Sequence, residues 1–144
     1  MDGSGEGKNV AALIGTPGTR LLATIGGSGG VRGCFTPTTG PMIAVQGSSV
    51  YSVTTAWAAT LLGTIASSTG PISIADNGAS ICLVDGANGY VINMTTMVMT
   101  QITDPDFYGA DRVDYMDGYF IFNRPDSEQF YISSISGTDF DALD

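Results

Sequence analysis

Four aspartates fall close together at Asp104, Asp106, Asp111 and Asp114, and carboxylates at such spacing are the hard oxygen ligands that Ca²⁺ takes. Asp104, Asp106 and Asp111 form the candidate calcium site, with Asp114 nearby. Against it, Tyr108 stands where an EF-hand loop puts its third ligand, and no glutamate fills the twelfth position. Loop aspartates also accept hydrogen bonds from neighbouring backbone amides, and that use competes with metal binding. A carboxylate pair is equally the equipment of glycoside hydrolysis. Trp57 is the single tryptophan, however, so no groove of stacked indoles accompanies the pair. The chain has no histidine, which removes the commonest general base and excludes Ser-His-Asp and Cys-His nucleophile systems. Cys34 and Cys82 lie in apolar runs and are expected as small buried hydrophobes rather than a disulfide or a zinc site. Two glycine-rich stretches fail as phosphate loops. Asp2 stands where a Gly-x-x-x-x-Gly-Lys loop ending at Lys8 needs glycine, and Asn9 where it needs Ser or Thr. Gly26–Gly33 fits Gly-x-Gly-x-x-Gly in no register. No catalytic residue and no cofactor are therefore expected.

The elements that carry these residues are short apolar runs joined by glycine turns, recurring about every forty residues. The copies read Pro41-Met-Ile-Ala-Val-Gln-Gly-Ser-Ser-Val-Tyr-Ser-Val53, Ser80-Ile-Cys-Leu-Val-Asp-Gly-Ala-Asn-Gly-Tyr-Val-Ile-Asn93 and Gly118-Tyr-Phe-Ile-Phe-Asn-Arg-Pro-Asp-Ser-Glu-Gln-Phe-Tyr-Ile132. Val45 to Val84 is 39 residues and Val84 to Phe122 is 38. Strands are expected at 31–35, 42–46, 50–54 and 60–66 in a unit spanning 31–68. A second unit, 71–103, places them at 72–75, 80–84, 89–93 and 98–102. A third, 110–144, places them at 112–116, 119–122 and 129–135 and stops before a fourth. Asn77-Gly78 is the strongest hairpin signal. Two further strands are expected in 9–25 around the Gly15-Thr-Pro-Gly18 turn, and Gly26–Gly30 reads as a loop. No run shows helical periodicity beyond a single turn at Ser127–Phe130. The fold class is all-β: antiparallel sheets of short strands forming a partial β-propeller of about three blade-like units with a period of about 39 residues. Residues 1–8 read as a flexible lead-in and 9–144 as one domain. About three blades do not close a ring, so the chain reads as part of a longer propeller or as one completed by other subunits.

Charge narrows the partners. The formal net charge is -9, and ten of the fourteen acidic residues lie from Asp104 onward. Phosphate binding needs Lys and Arg to displace counterions, so no specific nucleic-acid binding is expected. From Gly33 to Ala75 no residue is charged, but Thr60, Gly63 and Thr64 interrupt the best apolar run, so no membrane span is expected. The first residues lack the basic and apolar regions of a secretion signal.

The aromatic residues Tyr115, Tyr119, Phe120, Phe122, Phe130 and Tyr131 are the interface candidates. Strand alternation puts Tyr119 with Ile121 on one face and Phe120 with Phe122 on the other. One set fills the core between units and the other offers a contact surface, where aromatics are enriched.

The segment from Gln101 to Ser134, with its Asp-Gly-Tyr-Phe-Ile-Phe core, resembles the packaged-DNA stabilisation or tail-hub proteins of short-tailed bacteriophages. So do Ser136-Gly-Thr-Asp-Phe-Asp-Ala-Leu-Asp144 and Leu13-Ile-Gly-Thr-Pro-Gly-Thr-Arg-Leu-Leu22. The resemblance runs from about Asn9 to Asp144 and carries no catalytic motif. It implies a propeller-like domain in a virion tail hub, a head-completion component that seals packaged DNA and anchors tail parts. It implies the portal adaptor and a tail needle or fibre as partners, a homo-oligomeric ring, and assembly in the host cytoplasm. Family members are longer, so this chain is expected to be the N-terminal portion. The alternative is a propeller-type glycan- or protein-binding module of a phage or bacterial surface.

Overall fold

A computed structural model describes residues 18–141. The 1–8 lead-in, and the earlier of the two strands expected around Gly15–Gly18, lie outside them. The described chain is all-β, in three antiparallel sheets. The first blade is β1 (Val31–Phe35), β2 (Met42–Gln46), β3 (Ser49–Val53) and β4 (Ala59–Thr64), hydrogen-bonded in chain order. The second is β5 (Ser73–Asp76), β6 (Ser80–Val84), β7 (Gly89–Asn93) and β8 (Met99–Gln101), again in chain order. The third has three strands, β9 (Val113–Met116), β10 (Tyr119–Asn123) and β11 (Phe130–Ile132), with β10 central. The blades lie in sequence: β1 borders β5, and β5 borders β9. They fan out from their first strands, as blades do about a propeller axis.

Turn chemistry explains the strand ends. Asp117 and Gly118 both take positive φ, 53° and 93°, the two-residue turn that a tight hairpin needs between β9 and β10. Asn77 Oδ1 accepts hydrogen bonds from the N–H groups of Ala79 and Ser80 and shapes the β5–β6 turn. Gly47, φ +53°, opens the β2–β3 turn directly beneath Ser28, where an added Cβ would collide with the Ser28 carbonyl.

Alternation within strands gives each blade two faces. A forward face looks to the next blade and a backward face to the one before. Forward positions are Ile43 and Val45 in the first blade and Cys82 and Val84 in the second. Backward positions are Ile81 and Leu83 in the second blade and Phe120 and Phe122 in the third. The spacing between equivalents is a uniform 39 residues. The sequence pairing of Val84 with Phe122 is therefore one residue out of phase. Asn123 is the equivalent of Val84, and Phe122 faces the other way, because a slip of one residue in a strand reverses the face.

Two seams result. Between the first and second blades, Ile43, Val45, Val50, Ile65, Ile81, Leu83, Tyr90 and Ile92 make an aliphatic core. Between the second and third, Ala75, Cys82, Val84 and Val113 meet Phe120, Phe122, Tyr131 and Phe140. There Phe122 stacks on Tyr131 with ring centroids 5.3 Å apart, and Phe107 meets Phe122 edge-on at 5.7 Å. Polar bonds cross both seams. The Tyr90 hydroxyl accepts from the Ala66 N–H at 2.8 Å. Ser73 Oγ accepts from the Val113 N–H at 3.2 Å and donates to the Val113 carbonyl at 3.3 Å.

Several sequence expectations shift. No strand forms over 18–25; that stretch lies extended, with Ile25 packed on the first blade. The Gly26–Gly30 loop is pinned to the β2–β3 turn, since Gly47 N–H donates to the Gly30 carbonyl at 3.0 Å and Gln46 Nε2 to the Gly29 carbonyl at 3.0 Å. The helical turn expected at Ser127–Phe130 is a hairpin connection with Phe130 already in β11. Cys34 is exposed, not buried. It pairs with Ala44 across β1–β2 and so points backward, away from the second blade. Arg32 sits at a register shift in β1, and its guanidinium donates to the carbonyls of Gly47, Ser67, Thr69 and Gly70 and to Ser67 Oγ at 2.8–2.9 Å. The bulge re-aims this side chain across the exit of the blade.

Candidate functional site

The aspartates of the calcium candidate do not converge. Among the described residues no group of three or more His, Cys, Asp or Glu side chains is placed to hold a metal ion. Asp104 shapes its own loop instead: Oδ1 accepts from the Asp106 N–H at 3.0 Å and Oδ2 from the Phe140 N–H at 3.2 Å. That second bond closes the chain back over Phe107 and carries Phe140 into the aromatic seam. Asp111 lies beside Asn123, whose Oδ1 accepts from the N–H groups of Asp111 and Arg112. Asp114 is exposed on β9. The Asp104 carboxylate orders its loop, the competing use that spacing alone left open.

The aromatic candidates divide by strand parity. Phe120, Phe122 and Tyr131 are buried in the seam, and Tyr115 packs against its edge. The Tyr131 hydroxyl donates to the Gly109 carbonyl at 2.7 Å, and burial, above all, pushes its pKa upward. Four of the six candidates thus hold the core. Tyr119 and Phe130 lie on the forward face, where Phe130 is 73% exposed. The same face carries Ile121 and Ile132, half-buried, and Met116 at 59% exposure. Arg124 sits over the Tyr108 ring at 4.3 Å nearby.

The opposite end of the arc is apolar too, which the aromatic cluster alone did not signal. The backward face of the first blade consists of Met42, Ala44, Tyr51 and Val53, overlaid by Ile25. Leu61, paired with Tyr51 across β3–β4, is 55% exposed. A cleft of about 320 Å³ opens here, lined by Arg20, Leu21, Leu22, Cys34 and Trp57 among others. A second, of about 270 Å³, lies on the other side of Trp57 beside Pro41 and Thr55. Trp57 holds φ at +63° in the β3–β4 turn, a left-handed backbone that costs energy for a large side chain, and its indole is 46% exposed. The 39-residue spacing would have pointed to this surface, since 42, 44, 51 and 53 precede the seam residues 81, 83, 90 and 92 by that interval.

Residues 7–144 match the protein family described as Bacteriophage P22 Gp10, beta-propeller. The chain belongs to this Phage_stabilise family. It is a phage structural protein, and its blades are those of a β-propeller family. The resemblance carried by Gln101–Ser134 is thereby borne out, and virion proteins are the setting in which this family member works. No curated protein matches the chain. Among the described residues no helix is long and apolar enough to cross a membrane.

Proposed function

We propose that the protein is a tail-hub, head-completion component of the virion that seals packaged DNA and anchors tail parts through protein–protein contacts. The observation that carries this reading is the family match over 7–144, joined to a structure that exposes Trp57 and Leu61 on the first blade and Met116 and Phe130 on the third. Apolar patches rimmed by polar residues mark docking surfaces on soluble folds. The acidic third blade suits a part that lines a DNA channel without gripping DNA, because like charge repels the phosphates. The portal adaptor and a tail needle or fibre are the proposed partners, within a homo-oligomeric ring in the tail built during assembly in the host cytoplasm.

Particles assembled with and without the protein test this reading. Nuclease-protected DNA per particle is the measurement. We expect particles lacking the protein to lose packaged DNA and to regain retention when it is added back. Equal protection in both would overturn the sealing role. Co-purification with tagged portal or adaptor tests the partners separately.

A further inference from the structure

We propose that Asn77-Gly78, in the β5–β6 turn, is a self-modifying site that cyclises to a succinimide and opens to aspartate and isoaspartate. The chain has two Asn-Gly steps, here and at Asn88-Gly89, and a glycine with no Cβ leaves its nitrogen unhindered for attack on the preceding side chain. Around the first step the groups that acyl transfer needs come together. The nucleophile is the Gly78 nitrogen. Its N–H donates to Asp76 Oδ2 at 3.1 Å, so a carboxylate base already holds the proton to be removed. Asp76 is itself anchored to the first blade, since both its oxygens accept from the Thr38 N–H at 3.3–3.4 Å. The electrophile is Asn77 Cγ. Its oxygen, Oδ1, accepts from the Ala79 N–H at 3.0 Å and the Ser80 N–H at 2.7 Å. Two backbone donors on the oxygen that gains charge in the tetrahedral intermediate form an oxyanion hole. The leaving nitrogen, Nδ2, donates a long bond of 3.4 Å to the Ser136 carbonyl. Gly78 and Ala79 are exposed, so water reaches the site.

Attack forms the bond from Gly78 N to Asn77 Cγ and breaks the bond from Cγ to Nδ2. The Gly78 proton passes through Asp76 to Nδ2, which leaves as ammonia. Water then opens the imide. Cleavage of the new Cγ–N bond yields aspartate, and cleavage of the main-chain carbonyl bond to the same nitrogen yields isoaspartate. Either product adds one negative charge to a chain already at -9 and removes the donor to the Ser136 carbonyl. Asn88-Gly89 has different surroundings. Asp85 Oδ1 there accepts from Asn88's own N–H at 2.9 Å and from its Nδ2 at 3.4 Å, not from the glycine. Asn88 Oδ1 accepts from a side chain, Gln101 Nε2, at 3.0 Å. Gly89 is buried within β7 and paired with Val84. The same dipeptide thus stands at a reactive turn and at a shielded strand end of one molecule. The inference rests on the β5–β6 turn and stands apart from the sealing role.

The full chain, incubated at neutral pH either folded or unfolded in guanidinium chloride, tests this. Ion exchange follows the added charge, and peptide mass spectrometry assigns it to residue 77 or 88. Folded Asn77 is expected to convert at least about tenfold faster than folded Asn88, a modest share of what a positioned base contributes. It is also expected to outpace Asn77 in the unfolded chain, where the two sites react alike. Asp76→Ala, with a far-ultraviolet spectrum matching the unaltered chain, is expected to slow folded Asn77 at least about tenfold. The pH profile separates a base from a mere turn support. The carboxylate gives the unaltered chain a rate that stays level near neutrality, whereas the variant's rate is expected to climb with hydroxide throughout. A folded Asn77 rate no greater than that of Asn88, or below that of unfolded Asn77, would overturn the inference, and neither comparison needs a variant. So would an Asp76→Ala rate and pH slope equal to those of the unaltered chain. The test contains no phage component, so its failure leaves the sealing role standing.

Discussion

At the residue scale the two cysteines have opposite surroundings. Cys34 is exposed on the backward face of β1, and Cys82 is fully buried between the second and third blades. Burial pushes the Cys82 thiol well above its usual 9.0. A disulfide-exchange reagent at pH 8 is expected to modify one thiol per native chain and two after denaturation; two fast thiols in the native state would contradict the placement of β6. Burial likewise raises the Tyr131 and Tyr90 hydroxyls above their usual 10.0. These groups are held neutral in the fold but ionise freely in the unfolded chain. Their contribution is thus complete below the unfolded values and is lost as pH rises past about 9 to 10 toward the raised folded values. Urea midpoints are expected to be flat from about pH 6 to 8 and to fall above about 9.5. Tyr131→Phe removes the donor to the Gly109 carbonyl and is expected to cost about 1–2 kcal/mol at neutral pH while shrinking the alkaline loss. Calorimetry at two pH values measures both effects.

At the element scale stability resides in the seams and the turns that set their register. Phe122→Ala removes a ring that meets Phe107, Tyr131 and Phe140, and is expected to cost about 3–5 kcal/mol in denaturant unfolding. Ser73→Ala breaks the paired bonds to Val113 and is expected to cost about 1 kcal/mol. Gly47→Ala meets both a positive φ and the Ser28 carbonyl, and is expected to exceed the roughly 1 kcal/mol of a plain turn substitution. The strands at Val31–Phe35, Met42–Gln46, Ser80–Val84 and Gly89–Asn93 were readable to the residue, because apolar alternation and flanking turns agree there. The 98–102 and 129–135 expectations were too long. They lie at blade exits, where Ile102 turns in against Phe107 and where Ser134 donates from its N–H to the Asp139 carbonyl instead of to a neighbouring strand. The 38-residue interval from Val84 to Phe122 missed the true repeat by one residue because each is apolar and hydropathy carries no direction. The extended 18–25 stretch, rich in Leu and Ala, reads as a strand by composition, yet no neighbouring strand is paired with it in the described structure.

At the scale of the whole molecule, the three described blades share two internal seams and expose Trp57 and Leu61 at the first blade and Met116 and Phe130 at the third. The acidic composition was legible as a bar to nucleic-acid binding, and at about 150 mM salt no retention on duplex DNA is expected in a filter assay. The candidate docking surfaces were half legible: Tyr119 and Phe130 stood out by residue type, whereas Met42 emerges only when the period is applied face by face, and Trp57 and Leu61 only from the structure. A part that works by docking should hide its exposed apolar side chains in the particle. Side-chain oxidation footprinting compares the dilute free chain with the chain in purified virions, read at Trp57, Leu61, Met116 and Phe130. The account predicts strong protection of all four in the virion, with buried Phe120 unchanged. Equal oxidation of these four in both states, with protein present in the particle, would contradict it.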